Sequence, residues 1–134
     1  MTTELEGIHG SMRIERPAPR VVVMRISGQD VGELGDAPFA EIERTLAEAD
    51  GGIELYVDAR NSTGVTTDVS GAWAHWLVKH KAKLAHVSMI TRSRFVQVTA
   101  EFVRRFGDLT DKMRLYTDEA AFDEALRASS SASS

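Results

Sequence analysis

Residues 20–46, RVVVMRISGQDVGELGDAPFAEIERTL, contain a strand, a turn and a helix in one stretch and so decide the fold class. VVVMRI is apolar and rich in β-branched residues, which favour strands. The glycines that follow allow the chain to turn, and Pro38 falls in the first turn of a helix, where proline is tolerated. The apolar residues of this helix recur at helical spacing, which predicts a buried face: Phe39, Ile42, Leu46 and Ala49.

Further strands and helices follow on both sides of this segment. Residues 8–15 predict a strand joined to the first by a turn at RPAPR. Strands are also predicted at 53–59, 84–91 and 112–117, and helices at 68–83, 93–106 and 118–128. The polar residues 60–68 predict a loop. The third helix has an apolar stripe that we expect to be buried: Phe95, Val98, Phe102, Val103 and Phe106.

This pattern predicts an α/β fold with a mixed, largely parallel sheet. The order β-β-α-β-α-β-α-β-α implies four to five strands packed with about four helices. Residues 1–128 form one predicted domain, and the serine-rich residues 129–134 are expected to be a disordered tail. In such sheets ligands bind beyond the carboxyl ends of the strands, so the loops at 28–36 and 60–71 are the places to look for a site.

Composition excludes several classes of protein. The chain has 134 residues, 43% of them hydrophobic, and no cysteine, which excludes disulfides and thiol chemistry and fits a cytoplasmic protein. It has no apolar run of about 18 residues that could span a membrane and no secretory signal pattern. Residues 79–114 hold nine Lys/Arg against three Asp/Glu in a chain of net charge −4. No nucleic-acid motif accompanies them, and lysines near 79–83 complement a helix C-terminus.

The residues do not predict a catalytic, cofactor or metal site. The spacing of Gly28, Gly32 and Gly35 matches neither the dinucleotide fingerprint nor the phosphate loop. His75 and His80 are five residues apart, whereas helical metal pairs need a spacing of four. A hydrolase triad of Ser70, His75 and Asp58 lacks the nucleophile elbow. We therefore expect a protein that is not an enzyme and has no cofactor.

Several segments resemble a STAS domain, the module of sulphate transporters and anti-sigma factor antagonists. Residues 20–46 resemble its first strand, loop and helix, and IELYVDAR at 53–60 resembles its next strand. Asp68-Val69-Ser70-Gly71 is similar to the family's D-S-S-G at the head of a helix, and RLYTDEAAFDEAL at 114–126 is similar to the final strand and helix. The likeness covers about residues 12–127, and the nearest subgroup is the SpoIIAA-like, STAS/SEC14-type proteins.

The resemblance gives Ser70 a possible role as a switch. In anti-sigma factor antagonists the serine before that glycine is phosphorylated by a partner kinase, which breaks the interaction. A phosphate is well tolerated near a helix N-terminus, and it adds about −1.5 to −2 charges. Val69 departs from the family pattern, and Ser70 could instead belong only to the first turn of the helix, with Thr67 as its cap.

Two functions follow as expectations. The first is a regulatory module that binds a partner protein, with a homodimer also open, through a set of residues near the second helix. The candidate residues are Asp58, Asn61, Ser62, Thr63, Asp68, Ser70, Gly71 and Trp73.

The second expected function is binding of a lipid or small apolar ligand enclosed by Trp73, Trp76 and Phe95. A carrier needs an apolar cavity of a few hundred cubic ångströms, and an interaction module needs an exposed patch. Large aromatic residues at helical spacing, such as the two tryptophans, more often belong to the core.

Overall fold

The computed structural model describes residues 2–49 and 51–132, which form six strands and four α-helices. The strands are β1 Thr2–Glu6, β2 Gly10–Ala18, β3 Val21–Asp30, β4 Ile53–Val65, β5 Leu84–Thr91 and β6 Met113–Tyr116. The helices are α1 Ala37–Glu48, α2 Thr67–His80, α3 Arg94–Phe106 and α4 Glu119–Ala132, and a short 3-10 turn, Lys81–Lys83, follows α2.

The strands lie in one sheet in the order β1-β2-β3-β4-β5-β6. β1, β2 and β3 pair antiparallel, and β3 to β6 pair parallel, so the predicted mixed, largely parallel sheet is confirmed. The predicted count of four to five strands is too low because β1 was missed. The segment Thr2–Glu6 has only one large apolar residue, Leu5, so its sequence does not predict a strand. It forms a strand because it pairs with β2 along the edge of the sheet.

Three helices cover one face of the sheet and one helix covers the other. Ile42 and Leu46 of α1, Leu77 of α2 and Val103 of α3 belong to one buried cluster with the sheet. Phe122 of α4 belongs to a separate, smaller cluster on the opposite face. The predicted apolar face of α1 is confirmed, since Ile42 and Leu46 are buried and Phe39 and Ala49 pack against them.

β4 is longer than predicted and takes in most of the expected loop. It continues to Val65, and residues 61–65 pair with residues 27–30 of β3 across two register irregularities. The candidate residues Asn61, Ser62 and Thr63 therefore lie on a strand and not in a loop. Asn61 and Ser62 have ladder partners on β3, which a polar side-chain pattern alone does not reveal, whereas Thr63 lies at a register irregularity and has no paired residue on β3.

α4 also extends beyond its predicted end. It continues to Ala132, so the predicted disordered tail is wrong for residues 129–132, while 133 and 134 lie outside the described residues. The Tyr56 hydroxyl lies 2.5 Å from Ser129 Oγ and donates a hydrogen bond to the Ala125 carbonyl at 3.1 Å. Ser130 Oγ donates to the Leu126 carbonyl at 2.8 Å. These bonds give the small polar residues partners on the sheet and in the helix.

Candidate functional site

The start of α2 is fixed by Thr66 and not by the predicted cap Thr67. The side chain of Thr66 accepts a hydrogen bond from the Val69 amide at 3.4 Å, and its carbonyl accepts one from the Ser70 amide at 3.0 Å. The extended backbone of Thr66 suits a cap, whereas Thr67 is already helical. Asp68 lies in the first turn, where a carboxylate complements the helix dipole.

Ser70 lies at the end of this first turn, with its polar groups already bonded. Its hydroxyl donates a hydrogen bond to the Thr66 carbonyl at 3.0 Å, and its amide makes the first regular helical bond. The residue is half-buried. The free amides of the helix N-terminus therefore belong to earlier residues, and a phosphate on Ser70 would not be held by the Ser70 amide itself.

The eight candidate partner-binding residues do not form one surface. Asn61, Thr63, Asp68 and Gly71 are exposed around the end of β4 and the start of α2. Ser62 is buried, and Ser70 and Trp73 are half-buried.

The two tryptophans belong to the core cluster. Trp73 packs on the Phe39 ring with 4.4 Å between centroids and lies 5.7 Å from Trp76, which is buried. Phe39 is also stacked on Trp76. The pair therefore joins α1 to α2, as the core interpretation expects.

Asp58 has a structural role on the other face of the sheet. Its carboxylate accepts hydrogen bonds from Arg25 Nη1 at 2.7 Å and from Arg60 Nε and Nη2 at 2.9 and 2.8 Å. Burial would raise the pKa of Asp58, but the hydrogen bonds and charge of Arg60, with the charge of Arg25, hold it below its ordinary value of 3.8. Arg60 in turn contacts Asp123 and the Phe122 ring of α4.

These contacts hold Asp58 away from Ser70 and His75, the other two residues of the hydrolase triad that the sequence analysis considered. Ser70 is on α2, which packs on the face opposite α4, and His75 is exposed. Ser70, His75 and Asp58 therefore do not assemble. Within residues 2–49 and 51–132 no group of three His, Asp or Glu side chains could hold a metal ion.

The glycine-rich turn at residues 28–36 borders an open groove. The carboxylate of Glu33 in this turn binds the backbone between β1 and β2. Glu33 accepts backbone hydrogen bonds from Ile8, His9 and Gly10 at 3.0, 2.8 and 3.2 Å, and these bonds, that of His9 first, lower the pKa of its carboxyl group. The groove, of about 360 Å³, runs between this turn and the start of α2. Its lining includes three carboxylates, which oppose binding of a phosphate: Asp30, Asp36 and Asp68.

α3 faces the opposite way from the prediction. Phe95, Val98, Phe102 and Phe106 are exposed by 62%, 60%, 64% and 77%, whereas the buried residues of α3 are Val96, Ala100 and Val103. Of the five residues predicted to be buried on α3, only Val103 is buried. The rings of Phe102 and Phe106 stack on one another with centroids 5.5 Å apart. We call Phe95, Val98, Phe102 and Phe106 the α3 face.

A small apolar cavity lies beneath α2 and α3. Its volume is about 100 Å³, and residues of β3, β4 and β5 form its floor. Ser62 and Ser70 are among its few polar lining residues. The sequence did not indicate this cavity, because it depends on which face of α3 meets the sheet. Of the three residues predicted to enclose a ligand, Trp73 lines this cavity, whereas the buried Trp76 and the exposed Phe95 do not.

Comparisons with known proteins identify the fold. No family model matches the sequence, and no curated protein matches it significantly. The structure is similar to that of a DUF3478-family protein with a SpoIIAA-like fold from Shewanella loihica PV-4, with a TM-score of 0.64 and 17% identity over 90% of this chain and 97% of that chain. It is also similar to an anti-sigma factor antagonist from Mycobacterium paratuberculosis, with a TM-score of 0.54 and 18% identity over 95% of each chain.

The chain therefore has a SpoIIAA-like fold, in agreement with the STAS-like architecture that the sequence resemblance implied. Among the described residues no helix is long and apolar enough to cross a membrane.

Proposed function

We propose that this chain is a non-enzymatic regulatory module that acts by binding a partner protein through the α3 face. The observation that carries the proposal is the exposure of four large apolar side chains in a row, each by 60% or more. Single exposed apolar residues are common, but a contiguous patch on a small protein usually marks an interaction site. Aromatic residues are also those that contribute most to protein–protein affinity.

The α3 face has the geometry of a docking strip. At 100° per residue its four side chains fall within about 80° of the helix circumference, and at 1.5 Å per residue they extend over about 16 Å. Val78 of α2, itself 44% exposed, lies beside the C-terminal end of α3, since a side chain added at Gly107 would meet Val78 Cγ2 at 3.1 Å. A partner could therefore contact both helices.

The charges around the α3 face favour an acidic partner over a second copy of the chain. Arg94 and Arg105 are exposed on one flank and form no salt bridge with any residue in 2–49 or 51–132. If two copies paired their α3 helices antiparallel, Arg94 of one would face Arg105 of the other, and like charges repel. A partner that carries carboxylates beside apolar residues would satisfy both arginines.

The similar fold of an anti-sigma factor antagonist supports this proposal by analogy alone. Phosphorylation of Ser70, the finer prediction from the resemblance, rests on the family pattern. The hydroxyl would have to leave the Thr66 carbonyl before it could react. A phosphate there would lie between α2 and the first turns of α3, since Ser70 and Val96 line the same cavity.

The alternative of a lipid carrier receives less support. Pockets that enclose drug-sized ligands have volumes of about 300–1,000 Å³. The apolar cavity of this protein, about 100 Å³, is too small for an acyl chain.

The proposal is tested by site-specific crosslinking in the native host. A photoreactive phenylalanine analogue at Phe102 should trap one protein partner, and a second change, Phe106→Glu, should abolish the crosslink. The matched control places the analogue at Ala128, which is exposed on α4 at the opposite face of the sheet. Equal crosslinking from both positions, or none from Phe102, would contradict the proposal.

A further inference from the structure

His80, the last residue of α2, ends a row of rings that joins α1 to α2. The centroid of its imidazole lies 4.7 Å from that of the Trp76 ring. Trp76 in turn lies 5.7 Å from Trp73 and 5.9 Å from Phe39 of α1. Trp76 is buried, and the side chain of His80 is only 15% exposed. The imidazole therefore belongs to the packing between the two helices.

One ring nitrogen of His80 has no hydrogen-bond partner among residues 2–49 and 51–132, although the atom is buried. The carboxylate of Glu43 on α1 approaches this nitrogen, Nε2, to 3.7 Å, which is too far for a hydrogen bond. A neutral imidazole tolerates these surroundings better than an imidazolium does, because a buried charge needs a bonded partner. The packing of α1 on α2 therefore suits the neutral ring.

Burial has the largest effect on the titration of His80, and it lowers the pKa of the ring below its ordinary value of 6.5. Charged groups on three elements face the ring. Glu43 of α1 raises the pKa, whereas Lys79 of α2 and Lys83 of the 3-10 turn lower it. The ring is therefore neutral at pH 7 and accepts a proton only as the pH falls below its ordinary value.

We propose that His80 is a pH-sensitive contact between α1 and α2, and that protonation moves its ring from Trp76 toward the carboxylate of Glu43. Glu43 is 42% exposed, so the ion pair would form close to water, where a charge costs less. The neutral contact stabilises the packing above about pH 6.5 and is lost as the pH falls through the pKa of the folded state.

The other end of the row of rings reaches the open groove beside the glycine-rich turn. Phe39 and Trp73 line this groove, and both contact Trp76. When His80 leaves Trp76, we expect these two rings to change their packing, so the wall of the groove responds to pH. This inference goes beyond the proposed protein interaction and does not depend on docking at the α3 face.

NMR of the intact chain tests the inference, because its two tryptophans report on the row of rings. The histidine ring signals and the 15N-labelled indole N–H signals are followed from about pH 7.5 to about pH 5, the range in which histidine titrates. The Trp76 and Trp73 signals should both shift with the midpoint of the His80 ring, below pH 6.5. Titration of His80 without a change at Trp76 would overturn the contact, and an unchanged Trp73 would overturn its effect on the groove.

Three variants assign the titration to His80. His80→Gln should remove the common midpoint from both indole signals, whereas His75→Gln, at an exposed position of the same helix, should leave it unchanged. Glu43→Gln removes a charge that favours the protonated ring, so it should move the midpoint to lower pH. Because Glu43 is largely exposed, this variant tests the contact even if His80→Gln does not fold. The same midpoint in Glu43→Gln, or a common midpoint that persists in His80→Gln, would overturn the inference.

Discussion

At the scale of single residues, the partners of Asp58 explain why a carboxylate can be buried at the end of β4. The side chain is 11% exposed and lies between two arginines, of which Arg60 also bonds Asp123 of α4. A buried charge is tolerated only when it is paired and hydrogen-bonded. Asp58 therefore ties the sheet to α4, and it is not available to a partner protein as the sequence predicted.

Replacing Asp58 with Asn should destabilise the fold by about 2 kcal/mol, because two arginines lose a charged partner while one of them stays largely buried. Urea denaturation at pH 7 measures the change. Asp123→Asn is the matched control: Asp123 is 54% exposed, so its replacement should cost less than about 1 kcal/mol. Equal losses in the two variants would contradict the role given to Asp58.

The same substitution should change the response to acid. Because the pKa of Asp58 is lower in the folded state than its ordinary 3.8, its stabilising effect is present above about pH 4 and is lost as pH falls toward the folded-state value. The stability difference between the native chain and Asp58→Asn should therefore shrink between pH 5 and pH 3. A difference that grew on acidification would have the wrong sign.

At the scale of secondary-structure elements, α3 shows that a sequence pattern can predict the bounds of a helix without predicting which of its faces is buried. Its bounds were predicted within one residue, but its orientation was not, because the helix has two apolar faces about 120° apart. Hydrophobicity favours the phenylalanines, whereas the sheet and α2 accept the smaller Val96, Ala100 and Val103. That choice depends on contacts between distant elements, which a local pattern does not contain.

A pair of neighbouring substitutions tests this orientation. Phe102→Glu should change the free energy of unfolding by no more than about 0.5 kcal/mol, since the ring is 64% exposed. Val103→Ala should lower it by about 2 kcal/mol, because it opens space in the core. Urea denaturation compares both with the native chain. The reverse ranking would mean that α3 buries its aromatic stripe.

At the scale of the whole molecule, the two faces of the sheet differ in the number of helices that cover them and in the size of the core beneath. One face carries three helices over a large core, and the other carries α4 alone over a cluster built around Phe122. The sequence predicted every helix, but not this division, because the layer to which a helix belongs depends on strand order. Tyr56 and Tyr116 pack edge-on to Phe122, so this ring is at the centre of the apolar contact between α4 and the sheet.

Phe122→Ala should therefore release α4 before the rest of the molecule unfolds. Phe122 is 0% exposed, and loss of such a ring costs about 3–5 kcal/mol. Hydrogen exchange should show residues 119–132 losing protection while β3, β4 and β5 keep theirs, as in the opening of one cooperative unit. Phe106→Ala makes the same chemical change at a ring that is 77% exposed, and it should leave exchange in α4 unchanged. If Phe122→Ala lowered protection uniformly across the sheet, α4 would be part of a single cooperative unit with the three-helix face.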